Sequence, residues 1–506
     1  KLGKEVHHVM NVTDVDDKLI QRAEEQGTNV GSVAAQQEAL FWRDLARLGV
    51  QSPTVVTRVS EYMEEIKSFI STLLSAGPRG PTDTARFAYE ALDGSGSVYF
   101  DRQLYHEVFG QYPTLGAHGG DVAASEDAGA TSSSGVEKKH EHDFALWKAH
   151  TKETKGRQEL LEQIGSVWTL DLPGGRAVHG RPGWHIECSA MCDAVFGKEL
   201  TIHAGGCDLA FPHHTNEIAQ IQALNSVRDP TAGTPRQLLE WPQVFYHVGH
   251  LHIRGCKMSK SLKNFITIDD FLAKYSPAHL RLFCLQHHYR SHVEFGDEQM
   301  EEMTSLLRKL KHFFAYVEVE AMGAEPAAHL KWSSSDHLLH DEIRKCRAAI
   351  DTALLNDFNT PAAMQSLIGL CKTAAAPPQA DTDAKASRAL LLETYRLVRE
   401  TLELFGIDVG GLTKLTASPS LGGDSFAAAG SSSVSHEVSV DSLVQELVDM
   451  RSIVRNNALQ EVKSGSSRKE AAKEELRACD GARDRLAAMG IQLRDFQGAK
   501  SAWNWK

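Results

Sequence analysis

Nowhere in the 506 residues is there an apolar run of the ~18 residues that a membrane-spanning helix needs. No membrane partner is therefore expected. Positive charge is also in short supply: 54 Lys and Arg against 66 Asp and Glu leave a formal net charge of −12. Such a chain is not built to coat nucleic acid non-specifically, which needs a positive field facing the phosphates, so any nucleic-acid partner has to be met by local basic patches. Cysteines number only eight and are scattered without a dense spacing framework. Disulfide stapling is thereby disfavoured, and a reducing compartment is expected in which thiols serve as core residues or metal ligands. No internal repeat recurs at the periods of solenoids or propellers. The sequence opens on Lys1 rather than Met, and residues 6–12 already read as a buried strand. A truncated or processed start is expected, with any targeting segment lying upstream.

What is present is ordinary globular material, 42% hydrophobic and 24% charged, long enough for two to four domains at roughly 100–200 residues each. The opening strand runs into an Asp-rich turn at 14–17 and then a helix whose first turn carries acidic residues, half of a βα unit. From Val59, the spacing of Tyr62, Met63, Ile66, Phe69, Ile70, Leu73 and Leu74 predicts a helix capped by Gly77. Period-two alternation around Asp93-Gly94 predicts a hairpin. Residues 117–142 carry almost no large apolar side chains and read as an insertion loop; 416–437 has the same character and reads as a linker. Between them, strands and Gly-rich turns up to about 268 give way to helices. One helical stripe holds Met303, Leu306, Leu307, Leu310, Phe313, Phe314 and Val317, and another holds Leu443, Leu447, Met450 and Val454.

Three segments carry chemistry. KMSKS at 257–261 places Lys257 and Lys260 on a Gly-preceded loop ahead of a helical pattern that starts at Thr267. Two ammonium groups there can neutralise a triphosphate and its departing pyrophosphate. In GRPGWHIECSAMCDAVFG at 180–197 and HAGGCDLAFPHHTNEIAQ at 203–220, Pro212 can open a helix on which His213 and Glu217 share a face. That is a spacing suited to presenting two metal ligands, and Cys188 can add a thiolate from another element. Gly205 and Gly206 precede Asp208 in a turn that lets the backbone approach a ligand while the carboxylate reaches a pair of hydroxyls. A bare Gly-Gly-x-Asp turn, a lone thiol or a lone His-x-x-x-Glu is more often structural, and so is a generic lysine loop. Their order along one chain is what gives them weight.

That order resembles the cysteinyl-tRNA synthetases, members of class I of the aminoacyl-tRNA synthetases. NVTDVDDK at 11–18, DFALWK at 143–148, HYRS at 288–291, LNDFNTP at 355–361 and GARDRLAAMGIQLRD near the end fall in the family's sequence order. The resemblance implies zinc held by Cys188, His213 and Glu217, with Cys192 and His214 ranked below them. It implies an adenosine site at His203, Gly205, Gly206 and Asp208, phosphate contacts by Lys260 assisted by Lys257, and an amino-acid pocket at Thr13 and Trp184. It also implies ATP with Mg2+, L-cysteine and tRNA(Cys) as substrates and partners. Lys263 in SLKN looks like the eukaryotic branch, and with the cysteine usage it points to the cytoplasm. Two departures stand out: TLDLPGGRAVHG after Trp168 in place of the family's Pro-Trp-Gly, and Thr215 in place of an acidic residue. A fourth zinc ligand and the His-Ile-Gly-His-type motif of the family are expected upstream of Lys1, which leaves the active site incomplete in this sequence.

The expected architecture is α/β. A Rossmann-type parallel-sheet catalytic domain covers 1–268, with a connective insertion at about 45–165; a helix bundle covers 269–415, a linker 416–437, and a small C-terminal tRNA-binding domain 438–506. Two rival readings stand beside it: a ligase joining cysteine to an amino sugar on the same catalytic domain, and a degenerate relative that binds RNA or a partner without catalysis. Arg451, Arg455, Lys463, Arg468, Lys469 and Lys473 favour a tRNA-binding tail over the first rival, although a solvated helical face accounts for those charges equally well.

Overall fold

Two short valine-containing strands open the fold: β1 (Val9–Val12) lies parallel to β2 (Val55–Arg58), joined by two helices, α1 (Asp17–Gln26) and α2 (Val30–Arg47). Asp16 caps α1 by accepting from the Lys18 amide at 2.8 Å, so the Asp-rich turn satisfies a helix end as well as carrying charge. The computed structural model describes residues 5–78, 83–115, 137–150, 155–229, 241–259, 262–322, 332–376, 387–410, 447–448, 451, 454–462, 469–488, 491–494 and 502–505. Lys260, the whole 416–437 segment and most of the 117–142 loop lie outside them, as do Leu443, Met450, Lys463 and Arg468. The chain divides into two compact units, Lys1–Ala417 and Ser418–Lys506.

Within the first unit, α3 (Met63–Ser75) buries Met63, Ile66, Phe69, Ile70 and Leu73, the stripe read from the sequence. Its end is different from the expectation. Ala76 is extended (φ −117°, ψ 146°) instead of left-handed, and Gly77 is small for another reason, since a Cβ there would lie 2.7 Å from that of Asp83. The hairpin around Asp93-Gly94 forms as β3 (Ala88–Glu90) and β4 (Val98–Phe100), followed by α4 (Arg102–Phe109). With β5 (Phe144–Ala149), α5 (Lys155–Gln163), β6 (Trp168–Asp171) and β7 (Ala177–Pro182) this builds an antiparallel sheet in the order β3-β4-β5-β7-β6. The stretch 169–180, which departs from the family's pattern, is thus the β6–β7 hairpin. An aromatic core of Phe87, Phe100, Tyr105, Phe144 and Trp147 fills one face; Phe100 and Phe144 stack with centroids 5.0 Å apart.

Next come α6 (Trp184–Phe196), β8 (Ile202–Gly206), α7 (Thr215–Arg228) and β9 (Val244–Val248), with β9 parallel to β8. The mixed α/β character with parallel elements is as expected, and among the described residues the parallel pairings number three and lie in separate sheets. Strand β10 (Leu251–Ile253) then pairs with β11 (Cys256–Lys257) and, past α8 (Ile268–Lys274) and α9 (Pro277–Leu285), with β12 (Val293–Glu294). Thr267 caps α8 in a box with Asp270, as its place before the apolar pattern predicts. Four helices complete this unit: α10 (Asp297–Met322), α11 (Ser334–Leu355), α12 (Thr360–Ala374) and α13 (Arg388–Leu404). All seven residues of the stripe from Met303 to Val317 are buried in their common core.

In the second unit, a helix spans Lys469–Ala488 and two antiparallel strands, Ile491–Arg494 and Ala502–Trp505, follow it. Here the sequence stripe is corrected. Leu447 and Val454 are 56% and 43% exposed, and the buried face is instead Val448, Arg451 and Ala458. The Arg451 guanidinium donates to the Cys479 carbonyl at 2.8 Å, so this arginine is a packing residue here.

Candidate metal and nucleotide site

The site is assembled where β1 and β8 end and α6 and α7 begin, the carboxyl-end location that open α/β sheets offer to ligands. Gly183 makes the start of α6 possible: a Cβ there would lie 2.0 Å from the Ala145 carbonyl oxygen, so only glycine lets the helix enter this close to β5. Trp184 and Cys188 then fall one turn apart on α6. On the other side, Phe211 is extended (φ −139°, ψ 135°), as a residue before proline tends to be, and the helical path that starts after it at Pro212 passes through a π-helical turn into α7 at Thr215. His213 and Glu217 still face each other, with Nε2 3.1 Å from Oε1.

Cys188, His213 and Glu217 are all buried, and their donor atoms lie within 4.8 Å of one another. A second triad, Cys192, His203 and Glu217, meets the same limit and shares the carboxylate. His203, which the resemblance turns toward adenosine, thus points Nε2 at Glu217 Oε1 at 3.3 Å. His214, ranked lower as a ligand, is 4.0 Å from that oxygen and is held through Nδ1 by His247 Nε2 at 2.8 Å. Its ring also explains Gly205, where a Cβ would come 2.8 Å from His214 Cε1.

Electrostatics prepare the first triad for a cation. Burial works to raise the Glu217 pKa, yet His203 and His213 beside it hold the carboxyl down at about 2. Burial disfavours charge on His203 too, but Glu217 and Cys192 lift it to about 10. His213 is shifted down, chiefly by burial, and so offers a neutral imidazole. The Cys188 thiol is pushed well up by burial, with Glu217 and Glu187 adding to the effect. Glu217 Oε2 is buried without a hydrogen-bond partner. An ionised, half-satisfied carboxylate beside a thiol and a neutral imidazole is a donor set that suits a borderline-soft divalent ion such as zinc.

Residues around the triad orient it. His185 Nδ1 lies 2.8 Å from His213 Nδ1, which leaves Nε2 of His213 facing Glu217. The Trp184 indole stacks on His213 with centroids 4.2 Å apart and walls that side. Thr13 follows β1 directly and is half-buried, but the residue of that segment that touches the triad is Asn11, whose amide donates to Cys188 Sγ at 3.4 Å. Neither Asn11 nor His185 stood out in the sequence. The signal for both was adjacency to a motif, which by itself marks no role.

Of the residues expected to face the nucleotide, Asp208 and Lys257 meet, and His250 joins them. Lys257 Nζ lies 2.9 Å from Asp208 Oδ2, and His250 Nε2 lies 2.9 Å from Oδ1. Partial burial would raise the Asp208 pKa, but these two partners hold it at about 2. Both Asp208 and Lys257 remain about half exposed. The arrangement juxtaposes an anion and a cation at an open edge, where a polar ligand can exchange with either.

Residues 1–305 match the family described as tRNA synthetases class I (C) catalytic domain. The chain is 32% identical over 519 residues to a Xenopus tropicalis protein named "Probable cysteine--tRNA ligase, mitochondrial", covering 98% of this chain and 78% of that one. It is 31% identical over 509 residues to a cytoplasmic cysteine–tRNA ligase of Dictyostelium discoideum, covering 100% and 69%. With a cysteine–tRNA ligase of Encephalitozoon cuniculi it shares 36% identity over 363 residues, 72% of this chain and 65% of the relative.

Proposed function

Since the chain belongs to the class I cysteine–tRNA ligases, we propose that it activates L-cysteine with ATP and transfers it to tRNA(Cys), recognising the substrate thiol at Cys188, His213 and Glu217. It is a ligase that forms aminoacyl-tRNA. The observation that carries the finer reading is the buried donor set, with one carboxylate oxygen left without a partner. Zinc bound there supplies a soft Lewis acid for which a thiolate is a far better ligand than a hydroxyl.

In the first step the cysteine carboxylate attacks the α-phosphate of ATP, which enters with Mg2+, to give cysteinyl-adenylate and pyrophosphate. Lys257 and Lys260 neutralise the phosphates, and Asp208 holds the Lys257 ammonium in place until they arrive. Asp208 then turns to the ribose hydroxyls, with Gly205 and Gly206 leaving room for the adenosine. Trp184 walls the amino-acid pocket and Thr13 lines it. In the second step the cysteinyl group passes to the terminal ribose of the tRNA. Residues 1–268 provide the catalysis, 269–415 the helical bundle, 416–437 a linker and 438–506 a tRNA-binding domain. Cysteines scattered without a dense spacing framework, and Lys263 in SLKN, support a cytoplasmic location; the relatives include both cytoplasmic and mitochondrial ligases.

The direct test is cysteine-dependent pyrophosphate exchange by the full-length protein, followed by charging of tRNA(Cys) and, in parallel, of an amino sugar. Exchange with charging of tRNA alone is expected. Exchange with product only on the amino sugar would point to the rival ligase, and no exchange at all would sink the catalytic reading.

Metal uptake is expected to depend on pH in a defined direction. Glu217 is already ionised and His213 already neutral at pH 7, so the Cys188 thiol is the ligand that must lose a proton. Taking up the Glu217 charge also weakens the hold on the His203 proton. Apparent zinc affinity is therefore expected to rise with pH by at least about tenfold per unit near neutrality. Competition titrations with a chelator at several pH values measure the slope, and a flat profile would contradict the assignment.

A further inference from the structure

Besides the two triads that share Glu217, the described residues hold one more group of metal-ligating side chains: Cys207, His250 and His292. They come from three separated segments, the turn after β8, the residue before β10 and the residue before β12. None of the readings above uses Cys207 or His292. Their donor atoms lie within 4.8 Å of one another, and Cys207 Sγ is 3.6 Å from His250 Nε2. A tetrahedral zinc with bonds of roughly 2.3 Å to sulfur and 2.0 Å to nitrogen separates those two donors by about 3.5 Å. The spacing found is therefore that of two ligands on one ion. The imidazoles of His250 and His292 stack with centroids 5.2 Å apart, and His252 stacks on His292 at 5.1 Å, so the rings are already side by side. Cys207 and His250 are partly buried and His292 is exposed, which leaves an entry path.

We propose that Cys207, His250 and His292 form a second, exchangeable site for a soft divalent cation of the zinc type, and that its occupancy opposes ATP binding. The opposition follows from bonds already in use. His250 Nε2 is also 2.9 Å from Asp208 Oδ1, and ligation takes this nitrogen away from the carboxylate that the proposed function assigns to the ribose. Asp208 then has Lys257 alone to balance its charge, and this pair, tightened by the loss of His250, has to open before either group can turn to ATP. His292 in turn accepts from the His250 amide through Nδ1 at 2.9 Å and has to give up that bond to ligate through this atom. Each imidazole thus exchanges a hydrogen bond for the metal, so the ion is held more weakly than in the buried triad. Thiolate and imidazole ligands select zinc or copper over the magnesium that accompanies ATP. The antagonism rests on the proposed function; the site itself does not.

Cobalt(II) is the probe, because a cobalt–thiolate bond gives a charge-transfer band. In full-length protein carrying Cys188→Ser and Cys192→Ser, the band is expected to persist, and adding Cys207→Ser is expected to abolish it. If the first pair of changes unfolds the protein, His292→Ala in the otherwise unchanged protein serves instead, and it is expected to remove a second equivalent of bound zinc while leaving the first. A protein without the band, a band that survives Cys207→Ser, or zinc content unaffected by His292→Ala would overturn the site. Added zinc is further expected to raise the KM for ATP several-fold in the unsubstituted enzyme, with the KM for cysteine unchanged, and to leave both KM values unchanged after His292→Ala. A cobalt band with an unaltered KM for ATP would overturn the antagonism alone. Failure of cysteine-dependent exchange without added metal would instead count against the proposed function and leave the cobalt result standing.

Discussion

A Cys188→Ser enzyme is expected to lose its tightly bound zinc and, with it, nearly all preference for cysteine over serine. The expectation comes from where the thiol sits. Cys188 is buried, its donor lies within 4.8 Å of those of His213 and Glu217, and Asn11 fixes it from β1. A serine hydroxyl fits the same space but is a poor zinc ligand at neutral pH. Shape alone separates substrates that differ by one small group by roughly 10–200-fold, whereas a metal that prefers the substrate thiolate adds a chemical criterion. A preference of roughly 10⁴ corresponds to about 5.6 kcal/mol at 1.4 kcal/mol per factor of ten, within reach of a difference in metal coordination. Two measurements check the prediction. Metal content by atomic emission should fall, and the ratio of cysteine- to serine-dependent pyrophosphate exchange should collapse toward the range that shape supports. Retained zinc together with retained preference would remove Cys188 from the ligand set. Rapid hydrolysis of seryl-tRNA by the unsubstituted enzyme would place the discrimination in editing instead.

Neutralising Lys260 is expected to slow adenylate formation by roughly 10²–10³ while leaving cysteine binding near its original strength, because such a charge matters most as pyrophosphate charge develops. Lys257 makes a useful contrast. Its ammonium is shared with Asp208 at 2.9 Å, so its loss also frees that carboxylate, and Lys257→Ala is expected to weaken ATP binding as well as slow the step. Stopped-flow measurement of adenylate formation at saturating ATP separates the two. An unchanged rate in Lys260→Ala would refute its role.

Much of the fold was legible because periodicity reports burial locally. The stripe from Met303 to Val317 reads as a helix face in the sequence and packs as one, and Thr267 announces α8 by its own side chain. Local pattern failed where a neighbour decided the matter. Gly77 resembles a helix cap, but the approach of Asp83 is what demands a small residue. Leu447 and Val454 are spaced for burial, yet Val448, Arg451 and Ala458 are the residues covered. Apolar spacing defines a stripe, and which stripe meets a partner depends on the partner.

The candidate site divides in the same way. Residue type and spacing determined its chemistry: a thiol, an imidazole and a carboxylate in one pair of motifs, two lysines in another, an aspartate behind two glycines. Only the tertiary structure decided which atoms meet. It turned His203 toward Glu217, drew Asn11 and His185 against the triad, tied Lys257 to Asp208, and gathered Cys207, His250 and His292 from three separated segments. The reason is physical. A side chain's chemistry travels with its residue and can be read in one dimension, whereas a distance between elements far apart in sequence exists only after the chain has packed, and coordination and ion pairing both depend on distances of a few ångströms.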